Sequence, residues 1–236
     1  MPRLNQILDR LESFHGAQAA HWPTDPYLFL VWWHCGYPPS EERCRAGFES
    51  LNSKLGVSPE TLLSATSRKL AHALKAGGMV SELRATRLKE IASRVQDAFG
   101  GDLRSHLQRL PLAEARAALK KFPGIGDPGA DRIVLFGDIA PAAAVPSNCP
   151  HVLVRIESGR EPAQYTDTYQ QAQRALKTLV PNTFSALMRA YLLLQYHGRK
   201  LCKRTNPVCS LCPVADCCAY FAKTPPGRAS RTTPRT

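Results

Sequence analysis

Long apolar runs are missing from this 236-residue chain. No stretch approaches the ~18–20 unbroken apolar residues of a membrane span. The longest near the start, 27–35, is interrupted by His34 and stopped by Gly36. The first six residues hold one arginine and no apolar signal core, so export is not expected. The expected location is the cytoplasm (nucleoid-associated if the source is bacterial), where thiols stay reduced. Alternating strands, Asn-Gly hairpins and internal repeats are also lacking, which argues against β-sandwiches, barrels and solenoids. What remains is ordinary globular material, 44% apolar and 21% charged, long enough for one domain or two.

Acid is scarce as well. Lys+Arg number 31 against 19 Asp+Glu, a net charge of +12. The excess is clustered: residues 200–236 carry seven bases and one acid, and residues 68–94 carry seven bases and two acids. Clustered positive charge is the footprint of a polyanion, nucleic acid first, as against a merely solvated basic face.

Helix signals dominate. Ser40 caps a helix beginning Glu41-Glu42, and Ser58-Pro59-Glu60 pairs an N-cap with proline at the first helical position. Leu83, Leu88, Ala92 and Val95 form one apolar stripe, with Arg84, Arg87 and Arg94 off it. Further helices are expected over 112–120, from 127, from Asn148 (its cap), over 163–179 and over 183–195. The expected fold class is all-α, about ten helices joined by short loops. Residues 223–236 hold three prolines, four bases and no acid, and are expected to form a disordered basic tail. Trp32-Trp33, in an apolar helix, suit core packing better than stacking on an extruded base.

Five of the eight cysteines lie between 202 and 218. Cys202, Cys209, Cys212 and Cys218 are separated by six, two and five residues, with Cys217 an alternative for the fourth. Under reducing conditions such a cluster points to metal rather than disulfides. Four thiolates suit zinc or an iron–sulfur cluster. One short pair flanked by single cysteines favours a 4Fe–4S cubane wrapped by a compact loop. Inside the first gap, Lys203-Arg204 would give a pinned loop two phosphate contacts. Cys35, Cys44 and Cys149 are scattered and are expected to be buried structural thiols.

Phe122-Pro123-Gly124-Ile125-Gly126-Asp127 lies between two expected helices. Gly124 and Gly126 permit a tight turn around Ile125 whose backbone N–H groups, with the next helix N-terminus, hold a phosphate without any side chain. Asp127 and Pro128 read as N-cap and first helical residue.

The Pro-Gly-Ile-Gly hairpin upstream of His197-Gly198-Arg199 and the 6-2-5 cysteine spacing resembles the helix-hairpin-helix DNA glycosylase superfamily, in its endonuclease III / adenine glycosylase branch. The resemblance covers about residues 24–222. It implies a six-helix barrel over 24–131 with the hairpin at 122–127, and a cluster domain made of 1–23 plus 132–222. It further implies a 4Fe–4S cofactor, double-stranded DNA, damaged or mispaired, bound across the cleft between the domains, no membrane, and a monomer.

The expected chemistry is where the sequence departs. Breaking an N-glycosidic bond needs a carboxylate for the oxocarbenium-like state, and a Schiff-base lyase also needs an amine. By resemblance, the lysine position is Pro128 and the aspartate position is Pro146. Schiff-base chemistry is therefore not expected. The replacement candidates are His34, Asp131, Asp138 and His151, each with a plain structural role as the competing account. Three functions stay open: a monofunctional or atypical glycosylase, an inactive lesion-binding pseudo-glycosylase, and an iron–sulfur electron carrier with incidental charge.

Overall fold

The structure, a computed structural model, describes residues 4–223. The expected tail therefore lies outside the described residues except for Lys223, which ends the last helix. The described residues form thirteen α-helices and no strand: α1 (Leu4–His15), α2 (Pro26–His34), α3 (Glu41–Lys54), α4 (Pro59–Ser64), α5 (Ser67–Leu74), α6 (Ser81–Phe99), α7 (Leu103–Gln108), α8 (Leu112–Leu119), α9 (Asp127–Phe136), α10 (Pro150–Glu157), α11 (Tyr165–Leu179), α12 (Phe184–Lys200) and α13 (Ala219–Lys223). The all-α expectation holds.

The chain divides into two compact units. One is Ala20–Ala140; the other joins Met1–Ala19 to Pro141–Thr236. The sequence reading sets the boundaries at 23/24 and 131/132. The structure keeps α9 whole, so its second half stays with the hairpin.

In the Ala20–Ala140 unit, α2 is the axis. It is apolar on every face, and a helix of that kind belongs in a core. Asp25 caps it by accepting from Leu28 N at 2.9 Å, with Pro26 at the first position. Trp32 is 2% exposed, as core packing predicts, and Trp33 stacks on Phe29. The expected caps of α3 and α4 form: Ser40 accepts from Arg43 N and Ser58 from Thr61 N.

The α6 stripe differs from expectation. Leu88, Ala92 and Val95 are buried, but Leu83 is exposed and Arg84 is buried in its place. Four main-chain carbonyls explain the exchange: Arg84 donates to those of Cys35, Leu74, Gly78 and Met79. Gly47 and Gly77 both abut the Cys35 carbonyl, where a Cβ on either would overlap the oxygen. Four charge-assisted hydrogen bonds offset the burial of the guanidinium and satisfy four carbonyls at once, so the charge goes in and the leucine goes out.

In the other unit, α1 buries Leu4, Ile7, Leu8 and Leu11, spaced three and four apart, and packs on α12. Arg189 of α12 fastens α1 through Asp9 (2.8 Å) and Glu12 (2.6 Å). Helix α10 packs against α11, α12 and α13. Its start is Pro150, later than expected, and Asn148 does not cap it: Cys149 holds the cap position.

Candidate nucleic-acid interface and cysteine loop

The hairpin joins α8 to α9. Phe122 is buried, and the Ile125 N–H is bonded to the Phe122 carbonyl at 3.3 Å. The two glycines are not equivalent. Gly124 has φ +67°, the left-handed region that favours glycine. Gly126 is extended at φ −100°, with only Pro128 Cδ near its Cβ position. Gly126, not Asp127, is the N-cap of α9; Asp127 is its first residue and accepts from Lys120 Nζ at 2.9 Å instead of capping. Pro128 stands where a first-turn amide has no helical partner anyway. The remaining first-turn amides and the macrodipole make this end a phosphate-type site.

Two candidate catalytic groups lie beneath it. His34 is 4% exposed and donates from Nδ1 to the Leu30 carbonyl at 2.8 Å. Its Nε2 is the nearest atom to a Cβ position at Gly124, and burial holds its pKa below the usual imidazole value. It props the turn. Asp131 is 1% exposed and clasped by Arg116, whose Nε lies 2.6 Å from Oδ1 and whose Nη2 lies 3.3 Å from Oδ2. The next residue, Arg132, lies over the Trp22 ring at 3.7 Å. Asp138 is an exposed turn residue at φ +58°, and its carbonyl accepts from Gln108.

The cysteine segment belongs to the other unit. Cys202, Cys209, Cys212 and Cys218 line one small cavity whose walls include Val214 and Phe221. Cys217 does not line it; its thiol donates to the Val214 carbonyl and lies 3.7 Å from an Arg10 nitrogen. Among the described residues no three His, Cys, Asp or Glu side chains converge on one metal point. Burial pushes the Cys202 thiol up to about 11 and Cys212 up to about 12. Cys35, Cys44 and Cys149 are buried, as expected; burial raises Cys44 and Cys149 to about 11, and such thiols are inert.

Helix α10 holds this segment from a distance. Its buried Arg155 donates to the Lys203 carbonyl at 2.8 Å, the Arg204 carbonyl at 2.9 Å and the Cys202 sulfur at 3.7 Å. Glu161 balances it at 2.6 Å. One turn earlier His151, also buried, contacts the Cys202 carbonyl through Nε2 at 2.8 Å. With their carbonyls held inward, Lys203 and Arg204 expose their side chains. On α12, His197 lies 3.6 Å from the Cys212 sulfur and shares a 3.0 Å hydrogen bond with His15. The bracing role of Arg155 escapes a reading by motif, although its spacing of four from His151 puts the two on one helix face.

No family model matches the chain. It is 25% identical over 215 residues to the endonuclease III of Thermotoga maritima, covering 91% of this chain and 92% of that protein. It is 24% identical over 163 residues to the thymine-DNA glycosylase of Aeropyrum pernix, 69% of each. Among solved structures, a trapped endonuclease III–DNA covalent intermediate matches with TM-score 0.72 at 19% identity, over 94% of this chain and 99% of that one. A thermostable thymine-DNA glycosylase matches with TM-score 0.69 at 21% identity, over 93% and 97%. The chain is thus a homologue of proteins named endonuclease III and thymine-DNA glycosylase, with the all-α fold of the helix-hairpin-helix glycosylase superfamily.

Proposed function

We propose that this protein binds double-stranded DNA, damaged or mispaired, as a base-excision-repair protein, and that it is a monomeric N-glycosylase of monofunctional or atypical chemistry that forms no Schiff base. The observation that carries the reading is the Gly124–Ile125–Gly126 turn opening onto the start of α9. Gly124, Ile125 and Gly126 bring backbone to a phosphate, and Lys203 and Arg204 add exposed cations on a braced loop. Pro128 and Pro146, at the lysine and aspartate positions, can serve as neither nucleophile nor base, which removes the lyase route.

Cys202, Cys209, Cys212 and Cys218 are the residues that would hold a 4Fe–4S cluster. Thiols ranged around a cavity suit a polynuclear cluster held by four cysteines better than one zinc, whose sulfur ligands meet at ~2.3 Å from a single ion. When bound, the cluster would brace the loop and could exchange an electron. Cys202→Ser or Cys212→Ser should abolish the brown colour and DNA binding together, whereas Cys217→Ser should keep both. Colour lost with affinity unchanged would mean that the cysteines do not organise the DNA surface.

One observation favours a second reading, lesion binding without base removal. Three candidate replacements already have structural work: His34 props the turn, Asp131 is clasped by Arg116, and His151 holds Cys202. Single-turnover incision on duplexes carrying uracil, thymine glycol, 8-oxoguanine mispairs, alkylated purines or an abasic site separates the two. Strand breaks seen only after hot alkali support the glycosylase. Salt-sensitive binding with no breaks on any duplex supports the second reading, and Pro146→Asp should then confer slow base removal.

A further inference from the structure

The 68–94 basic stretch is not part of the hairpin, and the structure sorts its charges. Arg84 is engaged by four carbonyls, Arg94 by Glu90 and the Phe122 ring, and Lys89 by the Leu63 carbonyl. Arg68, Lys69 and Lys75 are exposed, and no ion pair among the described residues uses them. All three line one cavity of about 880 Å³ between α3, α5 and α6, where Lys54 of α3 joins them. Four cations there face one carboxylate, that of Glu82.

We infer that this groove is a second nucleic-acid contact, a seat for the phosphodiester backbone of the same duplex; the inference rests on the DNA-binding reading above. The spacing suits a repeating anion. Arg68 and Lys75 stand seven residues apart, about 10 Å along the axis at ~1.5 Å per residue, equal to the rise of about three nucleotides of one strand at ~3.4 Å each. The first turn of α5 opens on the groove with Thr66 and Ser67, adding hydroxyls and first-turn amides to the cations. No Phe, Tyr or Trp lines it; its one ring is the imidazole of His72. It lacks the large aromatic platforms on which single strands are held, so the contact is with backbone and independent of sequence.

The test is a titration of a 30-base-pair duplex across a salt series, with wild type and with Lys54, Lys69 and Lys75 all changed to Ala. At about 0.9 per phosphate contact, the slope of log affinity against log salt should fall by about 2 to 3. Preference for a lesion duplex over an undamaged one should stay the same. Replacing the same lysines by Arg should retain the slope, which separates charge from fold. A wild type that binds the duplex with a slope the Ala variant leaves unchanged overturns the groove alone. A wild type with no salt-dependent duplex binding overturns the DNA-binding reading and the groove with it. Polyglutamate binding that the Ala variant loses, with duplex binding intact, would assign the groove to an acidic protein instead.

Discussion

On the proposed reading, the hairpin and the cysteine loop both present fixed donors to a polyanion, and the structure builds them by opposite means. The hairpin is local. Its shape follows from Phe122, Gly124 and the start of α9, within a few residues of one another. The cysteine loop closes short turns of its own, with the Val208 N–H donating to the Leu201 carbonyl and the Cys212 N–H to the Cys209 carbonyl, but its anchorage is remote. It is held by Arg155 and His151, about fifty residues earlier, and by four cysteines facing a shared cavity. Backbone geometry specifies the first segment; a buried charge on α10 braces the second. Local change should therefore be tolerated differently in the two.

The largest effect should come from breaking the distant brace. Arg155→Ala leaves Glu161, the Lys203 and Arg204 carbonyls and the Cys202 sulfur without their common donor. Removing one partner of a buried pair costs roughly 3–5 kcal/mol; Glu161 retains a quarter of its exposure, so about 3 kcal/mol is expected in denaturant unfolding. Arg155→Lys should recover only part, because an ammonium cannot reach several acceptors in a planar fork. An Ala variant within about 1 kcal/mol of wild type would show that the loop stands without α10.

The hairpin offers a smaller, sharper contrast between its two glycines. Gly124→Ala forces a side chain into the left-handed region, at about 1–2 kcal/mol, with His34 Nε2 already 3.4 Å from the new Cβ. DNA affinity should fall roughly tenfold, the equivalent of about 1.4 kcal/mol, and stability should fall too. Gly126→Ala should cost less, about 0.5–1 kcal/mol for the loss of a favoured N-cap residue, since extended backbone itself accepts alanine. If Gly126→Ala loses no more than that but binds DNA poorly, that glycine serves close approach of the phosphate. Equal stability losses at both positions would contradict the asymmetry.

That contrast also marks how much was legible in sequence. The caps of α3 and α4 and the hairpin's position follow from neighbours in the chain, so pattern reading finds them. The same reading treats Gly124 and Gly126 alike, because residue type does not reveal φ. It puts Leu83 inside and Arg84 outside, because helical period cannot register carbonyls arriving from residues 35 and 74–79. It places Asn148 and Asp127 as caps by residue preference, whereas Cys149 and Gly126 hold those positions. The cysteine spacing points to a ligand set but does not rank Cys217 against Cys218. Only the fold turns Cys217 out of the cavity, towards Arg10.

The smallest effect tests whether the hairpin is tuned or merely permitted. Asp127 puts a carboxylate at the first turn of α9, where it favours the helix through the macrodipole but repels a phosphate at the same amides. Lys120 at 2.9 Å and Arg116 at 3.8 Å offset that charge. Asp127→Asn removes the repulsion and frees Lys120, while Arg116 stays on Asp131. A half-exposed charge of this kind is worth about 0.3–1 kcal/mol. Duplex affinity should thus rise about two- to fivefold, while helix stability drops by a similar or smaller amount. The two changes have opposite signs only if the phosphate meets α9 at its N-terminus. Affinity that falls along with stability would move the DNA contact away from the hairpin, leaving the exposed Lys203-Arg204 loop as the principal seat.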